Sequence, residues 1–151
     1  MLFGWYGFNS GGTIAAADIA AIVFTNTGVA AAVGMIVWII VYSLHAKKAS
    51  FLEAIVGAVA GLATITPASG YVTPISAVII GAIGAFICFF CVEFERKMWD
   101  DALDVWGVHG MGGFGFCFSH SMMNLLQTPT DILEEAVQYL RIYFAGFPFP
   151  L

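Results

Sequence analysis

The sequence predicts an all-α fold: a polytopic membrane helix bundle of about four full transmembrane helices, followed by a terminal amphipathic helix. Three observations carry that prediction. Of 151 residues, 60% are hydrophobic and only 10% charged, where soluble domains average roughly 25% charged residues; mean hydropathy is +0.91. Apolar runs of helical length alternate with short stretches rich in Gly, Pro, Ser and Lys. The few charges sit at the ends of those runs, as they must if the runs cross hydrocarbon.

Composition also narrows the function classes. The net charge is −5, and Lys47-Lys48 and Arg96-Lys97 are the only basic clusters, so nucleic acid is not an expected partner. The three cysteines form neither a structural-metal set nor a disulfide framework. Cys88 and Cys91 lie one helical turn apart in an apolar run and read as small buried hydrophobes. No metal, cofactor or catalytic residue is expected.

The start, Met-Leu-Phe-Gly-Trp-Tyr-Gly-Phe-Asn, has no basic region before its apolar residues and so does not read as a signal peptide. It reads as the tail end of a helix, broken by a tight turn at Ser10-Gly11-Gly12-Thr13. From about Ile14 to Leu44 runs a first long apolar segment whose only acid, Asp18, lies in the first turns, where the helix dipole favours it. About 30 residues at 1.5 Å each make roughly 45 Å, more than the hydrocarbon core, so this helix tilts or overhangs. His45, Lys47 and Lys48 close it, His45 as an interfacial C-terminal cation.

Ser50-Phe51-Leu52-Glu53 has the form of a capping box. The helix that follows, about Phe51 to Thr66, is stopped by Pro67 and is short, roughly 24 Å. Its Gly57 and Gly61 have the spacing that lets a neighbouring helix approach closely. Thr64 and Thr66 can bond back to the backbone near the stop. Pro74 suits the first turn of a third span, about 74–94, with Gly81 and Gly84 on a packed face. A fourth span runs from about Asp101 to Leu126. Both basic loops, at Lys47-Lys48 and Arg96-Lys97, fall on turns of one parity, and the turn between them (Ser69 to Thr73) is uncharged; the positive-inside rule places both in the cytoplasm. Beyond residue 127, Leu133, Val137, Leu140 and Phe144 recur at helical spacing with Glu134, Glu135, Gln138 and Arg141 elsewhere, which predicts an interfacial amphipathic helix.

One stretch does not fit an inert span. Asp100 to Gly113, D-D-A-L-D-V-W-G-V-H-G-M-G-G, brings His109 and several glycines into a membrane segment. A charged side chain at bilayer depth costs about 2.5–3.5 kcal/mol on insertion scales, so an ionisable group there is a functional-site candidate. His120 lies on a similar face but about 16 Å further along the helix, too far for the two imidazoles to share a proton.

This stretch resembles a signature of the ammonium transporter family, Amt branch. Three more segments do so in the same order. Gly4-Trp5-Tyr6-Gly7-Phe8-Asn9-Ser10-Gly11 resembles the family's G-W-[FY]-G-F-N-x-G. Phe24-Thr25-Asn26-Thr27 resembles its A-F-x-N-T. Gly57 to Tyr71 resembles its G-A-x-A-G-L-x-x-I-T-P-A-x-G-[FY]. The order and spacing agree over about residues 4–117, and the resemblance fades after about Phe118. It divides the chain into a partial ammonium transporter membrane domain, 1–126, and a divergent amphipathic tail, 127–151.

The resemblance implies a fold of eleven spans in two inverted halves, a homotrimer with a pore in each subunit, located in the cell membrane and in contact with the lipid bilayer. This chain corresponds to the end of the sixth helix through the tenth, which supplies one wall of a pore and is not expected to enclose one alone. The implied substrate is ammonium/ammonia. Ammonium is strongly hydrated and an apolar pore penalises it heavily, whereas ammonia passes. Such a protein should recruit the cation with aromatic faces, for about 0.5–2 kcal/mol, and line its lumen with imidazoles, which donate and accept without fixed charge.

By resemblance, Phe8 is one of two stacked phenylalanines gating the outer mouth; ordinary packing is the alternative. His109 matches the second of the paired pore histidines; the alternative is a hydrogen-bonded structural histidine. Val105, at i−4 from His109, would line the apolar lumen. Asp104, at a helix N-terminus, and Trp5 are expected to be structural residues beside the pore. Gly12 stands where the family usually has a serine that helps hold the cation. The tail that meets a PII-type signalling protein in the family is not recognisable, so that partner is not carried over. Two rival readings remain at this stage: a truncated, non-conducting remnant or interaction subunit, and, more weakly, an Rh-like gas channel.

Overall fold

A computed structural model describes residues 1–13, 18–98, 104 and 106–110. All its elements are helical: α1 (Leu2–Gly11), α2 (Asp18–Ala46), α3 (Phe51–Ile65), α4 (Pro74–Met98) and a π-helical turn (Trp106–Gly110). The predicted fourth span is described only at Asp104 and in that turn. The rest of it, including Val105 and His120, and the predicted amphipathic tail lie outside the described residues.

The boundaries follow local chemistry. The first helix continues through Ser10 and Gly11, where a break was predicted. The turn begins one residue later, with the Gly12 amide bonded to the Phe8 carbonyl (3.2 Å) and the Thr13 amide to that of Ser10 (3.3 Å). Lys47 ends α2 in the left-handed region, φ 53°. Ser50 caps α3, its hydroxyl accepting from the Glu53 amide at 3.5 Å. The capping box is only half used, because the Glu53 carboxylate turns to Trp38 and Arg96. As predicted, Thr64 and Thr66 donate back to the carbonyls of Ala60 (2.9 Å) and Leu62 (2.7 Å). The predicted third span, α4, runs on to Met98, past the predicted end near 94.

Packing rests on small residues. Ala30 of α2 is fully buried between α3 and α4. A Cβ on Gly61 would strike the Ala30 carbonyl, and one on Gly81 would lie 2.8 Å from the same oxygen. Gly34 and Gly57 face each other so closely that a Cβ on Gly34 would lie 2.6 Å from the Gly57 carbonyl. This is the close helix approach that glycine spacing allows where dispersion contacts drive association. Around this seam, Ile65, Ala68, Val72, Ala77 and Ile80 form one buried cluster. Trp38, Ala60, Ala85, Cys88, Phe89, Val92 and Val108 form a second.

The outer surface is apolar. On α4, Ile75, Ile79, Ile83, Phe86, Phe90 and Phe94 are all exposed, at spacings of one helical face. On α2, Ile36, Ile40 and Leu44 are exposed likewise. A water-soluble domain does not present apolar faces of this extent. Among the described residues, α2 with 29 residues and α4 with 25 are long and apolar enough to cross a membrane; α3, with 15, is shorter.

The bundle has two polar ends. At one, His45 approaches Glu93 (3.7 Å) and Arg96 reaches Glu53 (3.2 Å). That contact brings the end of α2, the start of α3 and the end of α4 together, so both basic loops share one side, as their parity predicts. At the other, the turn between α3 and α4 is tied to α2 by buried Asn26, whose amide donates to the carbonyls of Ser69 (2.8 Å) and Val72 (2.7 Å).

Candidate functional site: a mouth cavity and a stacked histidine

At the end held by Asn26, a cavity of about 370 Å³ opens between α1, the start of α2 and the α3–α4 turn. It is lined by Phe8, Asn9, Gly12, Thr66 and Tyr71, among others. Phe8 is 62% exposed, so its ring is not part of a packed core. Helix α1, which carries it, has no fully buried residue. It is held sideways by polar and aromatic contacts: Tyr6 stacks on Phe24 (centroids 4.0 Å, 17°), and the Asn9 amide donates to the Thr27 hydroxyl at 3.1 Å.

Thr66 connects this cavity to His109. Its hydroxyl donates to the Leu62 carbonyl and accepts from the Trp5 indole N–H at 2.7 Å. The other side of that indole lies parallel to the His109 ring, centroids 6.3 Å apart and 4° between planes. The geometry is that of an offset stack. His109 itself is half-buried and is not among the cavity's lining residues.

The segment before His109 is pinned from α4. Asp104 is buried and left-handed at φ 51°, a conformation uncommon for a non-glycine residue although aspartate tolerates it better than most. The Arg96 guanidinium forks onto its carboxylate, Nε to Oδ1 at 3.1 Å and Nη2 to Oδ2 at 2.6 Å. The turn Trp106–Gly110 is π-helical. Such turns recur at functional sites, and their wider winding does not superpose residues four apart. Val105, expected to share a face with His109, lies outside the described residues.

The structure thus brings Phe8 and Gly12 to one cavity, stacks Trp5 on His109, and sets Asp104 apart in an ion pair. Sequence reasoning gave Thr66 only its bond back to the helix and Arg96 only a place in a basic loop, and gave Asn26 no role of its own. Thr66 and Asn26 lie inside the quoted I-T-P and F-x-N-T segments, so the motifs held the signal. Arg96 looked like a solvated terminal charge.

The profile of the Ammonium Transporter Family matches residues 1–138. The chain belongs to the ammonium transporter family. The match runs past residue 118, where the motifs alone give out. The ammonium transporter of Bacillus subtilis is 48% identical over 113 residues, covering 74% of this chain and 28% of that protein. Ammonium transporter Amt1 of Archaeoglobus fulgidus is 44% identical over 114 residues, with the same 74% and 28% coverage. The crystal structure of Candida albicans Mep2 superposes with a TM-score of 0.78 at 32% identity, over 96% of this chain and 35% of that one. The chain thus spans 28% of the length of these two curated relatives. Members of the family are transporters and multi-pass proteins of the cell membrane, and the exposed apolar faces of α2 and α4 are the surfaces such a setting requires.

Proposed function

We propose that the protein takes part in the passage of ammonium/ammonia across the membrane, with the described helices forming one wall of the conduit. The observation that carries the reading is the indole of Trp5: it bonds Thr66 in the wall of the mouth cavity and stacks on His109. One rigid side chain thereby links the place where a cation would be recruited to the group that would handle it next.

The steps follow from charge and solvation. Phe8 and Tyr71 present aromatic faces at the mouth, which attract a cation by about 0.5–2 kcal/mol. Asn9, Thr13 and Ser69 supply polar groups there. Further in, hydrocarbon surroundings favour the neutral amine over the cation. The imidazole of His109 then offers a hydrogen-bond partner of either sense without a permanent charge. Asp104, engaged by Arg96, holds the chain and is not a relay in the path. Homotrimeric assembly fits the apolar outer faces, which would meet lipid or neighbouring subunits. No PII-type partner is proposed.

Uptake of labelled methylammonium by cells expressing the protein, competed by ammonium, tests the reading. Saturable, ammonium-sensitive uptake is expected; uptake at the level of empty cells is the result a non-conducting interaction subunit would give. The same assay weighs Gly12. Among the described residues, a Cβ there would meet the carbonyls of Asn9 (3.5 Å) and Phe8 (3.6 Å), ordinary van der Waals distances. Gly12→Ser should therefore fold normally and place a hydroxyl at the mouth. One added hydrogen bond of about 0.5–1.5 kcal/mol corresponds to a KM lowered about two- to tenfold, and an unchanged or raised KM would remove Gly12 from the mouth site.

A further inference from the structure

At the far end of α4 from the mouth, two adjacent side chains grip the π-helical turn. Glu95 is fully buried and its Oε2 accepts from the Gly107 amide at 2.7 Å. Arg96 forks onto left-handed Asp104 and also reaches Glu53 Oε1 (3.2 Å) and Glu93 Oε1 (3.4 Å). Glu53 in turn accepts from the Trp38 indole at 2.8 Å. The grip is thus anchored on α2, α3 and α4 together.

We propose that Glu95 and Arg96 are paired positioning residues: they set the register of Trp106–Gly110 and so aim the His109 ring at Trp5. The inference rests on the reading of His109 given above. Three features support it. Burying a carboxylate costs several kcal/mol unless it is paired or hydrogen-bonded, and the face of α4 around it, Cys88 and Val92, is otherwise apolar. An apolar residue at 95 would pack as well but leave the Gly107 amide without this acceptor. The fit at Gly107 is also specific, since a Cβ there would lie 2.5 Å from Val92 Cγ2 and 2.7 Å from Glu95 Oε2. The chain therefore sits directly on the α4 side chains, two residues from His109. Finally, a π-helical turn and a left-handed aspartate are both uncommon conformations, and here each is held by a contact from α4. Glu95 fixes the turn from inside, and Arg96 fixes its approach.

The test reads the stack directly. In the full protein in lipid nanodiscs, with isotope-labelled histidine, the ring-proton resonance of His109 carries a ring-current shift from Trp5, assigned by its disappearance in Trp5→Leu. Glu95→Leu should lose that shift, whereas Glu95→Gln, which keeps an oxygen facing the Gly107 amide, should retain it. Arg96→Met should lose it as well, and Arg96→Lys should keep part of it. Arg96 is 38% exposed, so its variant remains informative if Glu95→Leu does not fold. An unchanged shift in Arg96→Met and in any folded Glu95→Leu would overturn the positioning role, whatever transport does. A lost shift in these variants, together with uptake indifferent to His109, would leave the positioning role standing and overturn the transport reading instead.

Discussion

Replacing Gly61 by leucine is expected to destroy the bundle. A Cβ at this position already runs into the Ala30 carbonyl, and the next atoms it meets are Ala30 C at 2.9 Å and Ala31 Cα at 3.2 Å. All belong to the backbone of α2 and cannot rotate aside. Overpacking a core costs about 1–3 kcal/mol and occasionally more; here the helices must separate, so the loss should be at least about 3 kcal/mol. Ala30 also touches Gly81, so moving α2 off α3 also shifts its contact with α4. In detergent, the variant should show a large fall in thermal midpoint and elute as aggregate. Gly4→Ala is the contrast: among the described residues nothing lies within 4 Å of its Cβ, and alanine is the better helix former by about 1 kcal/mol. Equal stability of Gly61→Leu and the parent protein would contradict the close seam between α2 and α3.

The second large effect falls on function. Trp5→Leu removes the stack on His109, about 0.5–1.5 kcal/mol, and the hydrogen bond to Thr66, a similar amount. If both serve to hold the histidine beside the mouth, methylammonium uptake should fall roughly fivefold to a hundredfold. Trp5→Phe keeps an aromatic face and loses the donor, so it should lie between. Stability should fall by no more than those two contacts, about 1–3 kcal/mol, because α1 has no fully buried residue. A variant that unfolds without any specific loss of uptake per folded molecule would make Trp5 a packing residue only.

Much of this arrangement was legible in the residues. The alternation of apolar runs and charged ends gave the order of helices, and the glycine spacing at 57, 61 and 81 gave the seam, because both depend only on period and size. The positive-inside argument put both basic loops on one side, and the contact of Arg96 with Glu53 joins them there. What could not be read is what depends on long-range pairing. Ser50 and Glu53 spelled a local capping box, yet the Glu53 carboxylate found stronger partners in Trp38 and Arg96, residues distant in sequence. Arg96 read only as part of a basic loop and Glu95 drew no reading, because nothing in their spacing announces that a segment about ten residues on returns to cover them. The π-helical winding at His109 has no periodic signature at all. The motif positions of Phe8, Gly12 and Trp5 fall at one end of the bundle, but the motifs do not spell out the wiring there: Thr66 and Asn26 are ordinary polar residues until the chain is folded.

The central claim is that the imidazole of His109 belongs to the path of the transported amine. The initial rate of labelled methylammonium uptake by His109→Ala, at membrane abundance equal to the parent protein, tests this most directly, with His45→Ala, at the exposed end of α2, as the control. Loss of uptake to background in His109→Ala with full uptake in His45→Ala is the predicted result. Undiminished uptake in His109→Ala would contradict it.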